Sequence, residues 1–325
     1  MAGDALGSLV EFQSEAEIRR RYPDGVRDLA NGGAHNTIAG QPTDDSEMAL
    51  ALARSIVKAG GYDPDEAAVA YARWFASPPF DYGRTTAQAL RPAAAAMARG
   101  EGAAAVAAAG RAAASRDSQA NGALMRVSPL GIFAHALPVA VAAELARQDA
   151  LLTHPHAVCQ DSNVVFVLVI AHAVFAGSDP LATYRFAVDL AAGATDLPPA
   201  HPAVLERLRL AADSPPADFQ HQQGWVLTAL QNAFWQLLHA PDLETGICDT
   251  VMHGGDTDTN AAIAGPLLGA VHGIGAVPKR WRDIVLACRP EEGRPSVHRP
   301  RPEVYWPVDA LTLAARLAEL GTEAA

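Results

Sequence analysis

Cysteine is scarce in this chain, and the three present, Cys159, Cys248 and Cys288, are an odd number at wide spacing. No disulfide framework can be read from them, which makes a reducing cytosol the simpler expected home. Positive charge is also short. The 25 Lys and Arg face 36 Asp and Glu, a formal net charge of -11 at pH 7, so nothing in the balance favours gripping a nucleic-acid backbone. Long apolar runs are missing too: the most hydrophobic stretch, Asn163 to Gly177, reads as too short for a bilayer crossing and contains His172. The opening Met1-Ala2-Gly3-Asp4 shows no basic region followed by an apolar one. The expectation is a soluble, unexported, cytoplasmic protein with neither a nucleic-acid nor a membrane partner.

What is there is a chain of 325 residues, 50% of them apolar, ample for a sizeable core. Ala, Leu, Glu, Arg and Gln dominate, and strong β-formers rarely alternate as a half-buried strand requires. The fold class expected is all-α. Asp63-Pro64-Asp65-Glu66 supplies a capping carboxylate, a first-turn proline and an N3 glutamate before a helix to Ala76, and Gly60-Gly61 ends a helix starting near Ser46. Further helices are expected over 86–99, 102–114, 138–151, 157–176, 180–192, 201–212, 224–239, 243–252, 260–272 and 308–321. Val164 to Phe175 and Ile263 to Val271 are apolar nearly all round, as helices inside a large bundle are. The Ala- and Gly-rich 93–114 stretch reads as helix whose small side chains permit close packing. Residues 289–307, with several Pro and Arg, read as an extended surface segment, too short to separate domains, so 1–325 reads as one domain.

Oxygen ligands concentrate in two places, Thr43-Asp44-Asp45-Ser46 and Asp256-Thr257-Asp258-Thr259, the second preceded by Gly254-Gly255. Each lies just before a helical pattern. Asp, Thr and Ser are preferred N-caps, so capping alone is the plain explanation of either cluster. It does not explain the excess, because one helix needs one cap and each start carries two Asp with flanking hydroxyls. Were the clusters to meet, four carboxylates would share a small volume and repel one another. Two divalent cations would balance them, and an all-oxygen set selects Mg²⁺, Mn²⁺ or Ca²⁺ over Zn²⁺ or copper. Spacing alone does not show that they meet.

The run His253-Gly254-Gly255-Asp256-Thr257-Asp258-Thr259-Asn260-Ala261-Ala262-Ile263-Ala264-Gly265, with Gln41-Pro42-Thr43-Asp44-Asp45-Ser46 upstream, resembles the ADP-ribosylglycohydrolase family. Gly3-Asp4-Ala5-Leu6-Gly7-Ser8-Leu9-Val10-Glu11-Phe12 is similar to its opening motif, Asn121-Gly122-Ala123-Leu124-Met125-Arg126 to its central one, and Thr153-His154 to a third. These motifs follow the family's order along almost the whole chain. One departure is visible: relatives usually have more apolar helix before the Gly-Asp motif, at which this chain begins.

The resemblance implies a compact, single-domain orthogonal helical bundle with two Mg²⁺ or Mn²⁺ ions at the bottom of a cleft. Thr43, Asp44 and Asp45 would serve one metal, Asp256 and Thr259 the other, and Asp258 would bridge them. It implies a hydrolase that cuts the glycosidic bond between ADP-ribose and a modified protein side chain, arginine foremost, releasing ADP-ribose. Its partner would be an ADP-ribosylated protein. Cleavage at an anomeric carbon passes through an oxocarbenium-like state, so the site must orient the sugar and activate water. Glu11 and Asp45 are the candidate carboxylates for that proton transfer, and Glu11 is also a candidate gate. Asn121-Gly122 would form a tight turn whose backbone N–H groups approach a pyrophosphate. Gly83, in Asp81-Tyr82-Gly83-Arg84, would line the phosphates, with Met125 and His154 also near the nucleotide.

Several other readings stand beside this one. Glu11 could simply be an exposed acid beside an N-terminal helix. His154, His156 and Cys159 suggest zinc but have no fourth ligand. Trp225 and Trp235 fit core packing better than substrate stacking, with Gln222 and Gln223 beside them. Asp256-Thr257-Asp258 could prompt a phosphohydrolase, whose chemistry normally follows a strand. Serine-linked or small-molecule conjugates are alternative substrates, and a non-catalytic ADP-ribose-binding protein on the same fold would be expected to have lost ligands that are all present here.

Overall fold

The protein was described from a computed structural model covering residues 1–177 and 179–325. Its helices in chain order are α1 (Ala2–Gly7), α2 (Glu15–Arg21), α3 (Asp44–Ala59), α4 (Pro64–Ala76), α5 (Arg84–Ala98), α6 (Ala103–Ala113), α7 (Ser128–Phe133) and α8 (Val139–Leu151). There follow α9 (Ala157–Ala176), α10 (Pro180–Ala191), α11 (Pro202–Leu210), α12 (Val226–His239), α13 (Leu243–Met252), α14 (Thr257–His272), α15 (Lys279–Ala287) and α16 (Ala310–Glu323). Among the described residues extended pairing is confined to isolated bridges, so the architecture is all-α.

The punctuation works as local chemistry requires. Asp63 Oδ1 accepts from the Asp65 and Glu66 amides at 2.8 and 3.2 Å, Pro64 sits in the first turn, and Gly60 ends α3 at φ +74°. Helices α1, α2, α7 and α15 are missing from the sequence expectation. Three of them are short, and α15 carries charge among few apolar residues, so their helicity comes from tertiary packing more than from periodicity. The two ligand-bearing helices also begin earlier than expected: α3 at Asp44 and α14 at Thr257. Asp44, Asp45 and Asp258 therefore lie inside first turns, where the helix dipole favours negative charge.

Helix α14 is the axis of the bundle, packed against α1, α9, α12 and α13. A second, smaller apolar cluster of Ala72, Ala93, Ala96 and Val106 joins α4, α5 and α6, where alanine lets backbones approach closely. The apolar run thought too short to cross a membrane belongs to a longer helix, because Ala157 to Ser162 continue it N-terminally. The 20-residue α9 is long and apolar enough by composition to span a bilayer, but most of it is buried against α7, α8, α10 and α14.

Residues 289–307 cross the outside of α3 and α4 and turn inward at two side chains. Arg301 is buried, its guanidinium donating to both Glu47 oxygens at 2.8 and 3.1 Å, while Trp74 Nε1 donates to the same carboxylate at 2.8 Å. Tyr305 is buried beside it. The three cysteines are buried thiols.

A close backbone approach joins α1 to α14. A Cβ on Gly3 would strike the Ala261 carbonyl, and one on Gly7 would strike the Thr257 carbonyl and the Asp258 backbone. Thr257 Oγ1 donates to the Gly7 carbonyl at 2.7 Å, closing the contact. Gly7→Ala is expected to cost about 1–3 kcal/mol, since backbone rather than a flexible side chain must yield. The check is a lower urea midpoint at unchanged slope, and an unchanged midpoint would show that the approach has slack.

Candidate metal centre and cleft

The starts of α3 and α14 meet at the floor of a cleft of about 480 Å³. Most helices with an acidic or hydroxyl N-cap use it: the side chains of Ser14, Asp63, Asp179 and Asp242 each accept a backbone N–H of their own first turn. The N-caps of α3, α14 and α16, Thr43, Asp256 and Asp309, do not, and Asp309 is instead paired with Arg54. The cap of α3 instead comes from α1. Asp4 accepts from the Thr43 amide at 3.1 Å, the Thr43 hydroxyl at 2.9 Å and the Ser46 amide at 3.1 Å. In α14 the Thr259 N–H donates to Asp258 Oδ1 at 2.9 Å, but capping accounts for none of Asp44, Asp45 and Asp256, whose carboxylates are left for other work.

Those carboxylates converge. Ligand oxygens of Asp4, Asp45 and Asp258, all buried, lie within 4.8 Å of one another, and so do those of Glu11, Asp256 and Asp258. Thr43 Oγ1 also lies 3.0 Å from Asp45 Oδ2, and Thr259 Oγ1 approaches the same oxygen at 3.5 Å. Asp45 Oδ1 is buried with no hydrogen-bond partner among the described residues. Burial raises Asp44, Asp45 and Asp258 well above the usual carboxylate range, and the neighbouring carboxylates raise them further. Asp256 is raised by burial, opposed by the Asn121 amide, whose Nδ2 donates to Asp256 Oδ2 at 2.7 Å. An orphaned buried oxygen inside an all-oxygen, like-charged cluster is a donor set that fits hard divalent cations. Asp44, Asp256 and Thr259 face the cleft, and Thr43, Asp45 and Asp258 lie beneath it.

Glu11 is not an exposed acid. It follows α1 on a turn, only 6% exposed, and reaches the cleft wall. The turn is pinned from both sides: Phe12 N–H donates to the Gly255 carbonyl at 2.8 Å and Gly255 N–H to the Gln13 carbonyl at 3.0 Å. Gly255 has φ +76°, and a Cβ there would strike the Phe219 carbonyl, so glycine is required. Burial pushes the Glu11 carboxyl up to about 7, against a hydrogen bond from His35. His35 Nε2 lies 2.8 Å from Glu11 Oε2 and 3.2 Å from Asp81 Oδ2, and these hydrogen bonds raise the imidazole to about 10.

The remaining candidates sit on one wall. Gly83 is the N-cap of α5, whose first turn with Thr85 and Thr86 faces the cleft. Asn121 and Gly122 form a short 3₁₀ turn. A Cβ on Gly122 would come within 2.7 Å of Thr86 Oγ1 and 3.0 Å of the His154 ring. Asn121 spends its amide N–H on the Gly224 carbonyl at 3.0 Å, so this turn positions Asp256 as well as lining the cleft. Met125 and His154 complete the wall. Arg126, from the same motif, lies below it, fully buried, with its Nε donating to Asp149 Oδ2 at 3.2 Å and its guanidinium over the Tyr71 ring. Burial and the Arg126 charge lower His154 to about 3, so it is neutral, with Thr153 Oγ1 2.7 Å from Nδ1 and Nε2 without a partner among the described residues.

His154, His156 and Cys159 do not gather as ligands. His156 caps α9 through Nδ1, and Cys159 Sγ turns to the Ala120 carbonyl at 3.5 Å. Trp235 packs on His239, while Trp225 is half-buried on the wall of an adjoining polar groove of about 650 Å³, its Nε1 donating to Gln119 at 2.9 Å. Three site residues escaped the sequence reading. Asp4 had a signal, its place in the Gly3-to-Phe12 motif, and Asp81 stood two residues before Gly83. His35 had none.

A model of the family described as ADP-ribosylglycohydrolase matches residues 1–320 of the chain. The ADP-ribosyl-(dinitrogen reductase) glycohydrolase of Rhodospirillum rubrum is 28% identical over 284 residues, 86% of this chain and 85% of that protein. The ADP-ribosylarginine hydrolase Tri1 of Pseudomonas putida is 27% identical over 293 residues, 87% of this chain and 71% of that one. A solved structure titled ADP-ribosylglycohydrolase-related protein complex superposes with a TM-score of 0.74 at 27% identity, covering 98% of this chain and 94% of that one.

The neutral burial of His154 has a consequence for acid stability. Its folded value, about 3, lies below its ordinary 6.5, so on acidification the unfolded chain takes up a proton that the folded one refuses. Its contribution is present above pH 6.5 and is lost as pH falls below that value. The difference in melting temperature between wild type and His154→Gln should shift against wild type between pH 7.5 and 4.5. A difference that stays constant across this range would show that His154 is not held neutral.

Proposed function

Because this chain belongs to the ADP-ribosylglycohydrolase family, we propose that it is a divalent-metal-dependent hydrolase releasing ADP-ribose from ADP-ribosylated arginine side chains. One observation carries the reading: two helix starts bring together more carboxylates than their first turns use, with a buried Asp45 oxygen left unpartnered among the described residues at the foot of a cleft. Thr43, Asp44 and Asp45 would hold one Mg²⁺ or Mn²⁺ and Asp256 and Thr259 a second, with Asp258 between them. Such ions supply fixation of the ribose hydroxyls and a lowered pKa for bound water.

The chain's own groups account for the rest. A diphosphate suits the wall where the first turn of α5 presents backbone N–H groups beside Gly122 and neutral His154. The adjoining groove of about 650 Å³, lined by Gln119, Gln222 and Trp225, offers room for the nucleoside end. Glu11, held near neutrality at about 7, suits a base that takes a proton from water as the water oxygen bonds to the anomeric carbon. The bond from that carbon to the guanidine nitrogen breaks, and the same proton returns to the leaving guanidine. Asp45 is the alternative carboxylate, but it lies deeper and among ligands. Arginine as acceptor is supported by the relative whose name specifies ADP-ribosylarginine.

The test is release of free ADP-ribose from an arginine-ADP-ribosylated protein and a serine-ADP-ribosylated peptide, each with Mg²⁺, Mn²⁺ or EDTA. Release from the arginine conjugate, abolished by EDTA, is expected. Release from serine alone would keep the chemistry and overturn the substrate, and binding of ADP-ribose without release from either would favour a non-catalytic role. Asp258→Asn should lower turnover by about 10²-fold or more, on the scale expected when electrostatic machinery is lost. Without metal it should melt no lower than wild type, since one of several crowded like charges has gone. Equal turnover by wild type and Asp258→Asn would remove Asp258 from the centre.

A further inference from the structure

One side chain touches both carboxylates at the upper wall of the cleft. His35 lies on a turn fixed from three directions. The Gly32 and Thr37 backbones pair at 2.8 and 2.9 Å, Ala34 N–H donates to the Ser8 carbonyl at 3.1 Å, and Arg299 Nε donates to the His35 carbonyl at 2.9 Å. Gly33, at φ +75°, sits so close to Ser8 that a Cβ would strike its carbonyl. The imidazole is flanked by Phe12 and Phe80, with ring centroids 6.3 and 5.5 Å away.

The groups it bonds come from segments that no helix holds. Glu11 and Phe12 lie on the turn after α1, where Phe12 is 60% exposed and takes φ +65°, a backbone conformation that a phenylalanine adopts only when its surroundings compel it. Asp81 lies in the loop before α5. Two carboxylates facing each other across a narrow cleft repel, yet both converge on one nitrogen, at 2.8 and 3.2 Å. Bonding through Oε2 also leaves Glu11 Oε1 free for another partner.

We propose that His35 is a positioning residue that latches the Glu11 turn to the Asp81 loop and so fixes the Glu11 carboxylate over the cleft. Its effect on rate rests on the hydrolase reading above. Its effect on the two segments does not.

The experiment compares wild type, His35→Ala and His35→Gln, the last retaining an N–H able to reach a carboxylate. Three readouts are used: kcat and KM for ADP-ribose release from the arginine conjugate, calorimetric Kd for ADP-ribose, and amide hydrogen exchange. His35→Ala should lower kcat by about 10- to 100-fold with KM and Kd within about twofold, and His35→Gln should recover much of the loss. Exchange over residues 10–14 and 80–83 should speed about tenfold in His35→Ala while α9 and α14 exchange as before. Unchanged exchange in these two segments would overturn the latch, as would an active wild type whose kcat survives His35→Ala. Faster exchange throughout the chain in both variants would overturn it too, marking His35 as general packing. If wild type releases nothing, locally faster exchange in His35→Ala still supports the latch, while the hydrolase reading falls.

Discussion

Asp4, Asp45 and Asp258 bring ligand oxygens within 4.8 Å of one another with all three residues buried, and Glu11 and Asp256 extend the crowd to the cleft. Like charges confined in a protein interior are costly, and much of the structure can be understood as what keeps them there. Two helix starts face the cluster, Asp4 is satisfied by three donors from α3, Asn121 steadies Asp256, and two glycines of α1 let its backbone lie directly on α14. Packing this specific around groups that destabilise the core is an arrangement that fits a compensating cation.

This constraint divides the motif residues into two kinds. Some face the cleft: Asp44, Asp256, Thr259, Gly83, Met125 and His154. Others hold those in place from beneath. Arg126 is sealed in an ion pair with Asp149 that ties the 3₁₀ turn to α8, a pair whose breaking would strand a buried charge. Asp4 is the corresponding support for α3. The segment 289–307 does similar work at longer range, since Arg301 and the Arg299 backbone secure Glu47 on α3 and Gln41 just before it.

Much of this was legible in the sequence, for identifiable reasons. Long helices such as α9 and α14 announce themselves through composition, and α4 through its caps, because these are local properties. The excess of oxygen ligands at two helix starts could be counted. Short helices such as α1 and α7 could not be seen, because their stability comes from what they pack against. His35 was hidden for a related reason: a single polar residue in a loop carries no periodicity, and its meaning depends on what stands opposite.

The sequence by itself determined the all-α class, the order of the motifs and the stock of carboxylates, since propensity, capping and residue type act within a few positions along the chain. The tertiary structure alone decided that these carboxylates share one volume, that Asp4 rather than Thr43 or Asp45 caps α3, and that His35 stands between Glu11 and Asp81. Those contacts join residues 39 apart between Asp4 and Thr43, and 214 apart between Asp45 and Thr259. No local rule relates side chains at such separations; they meet because burying the apolar faces of α1, α3 and α14 together leaves their polar ends in one place.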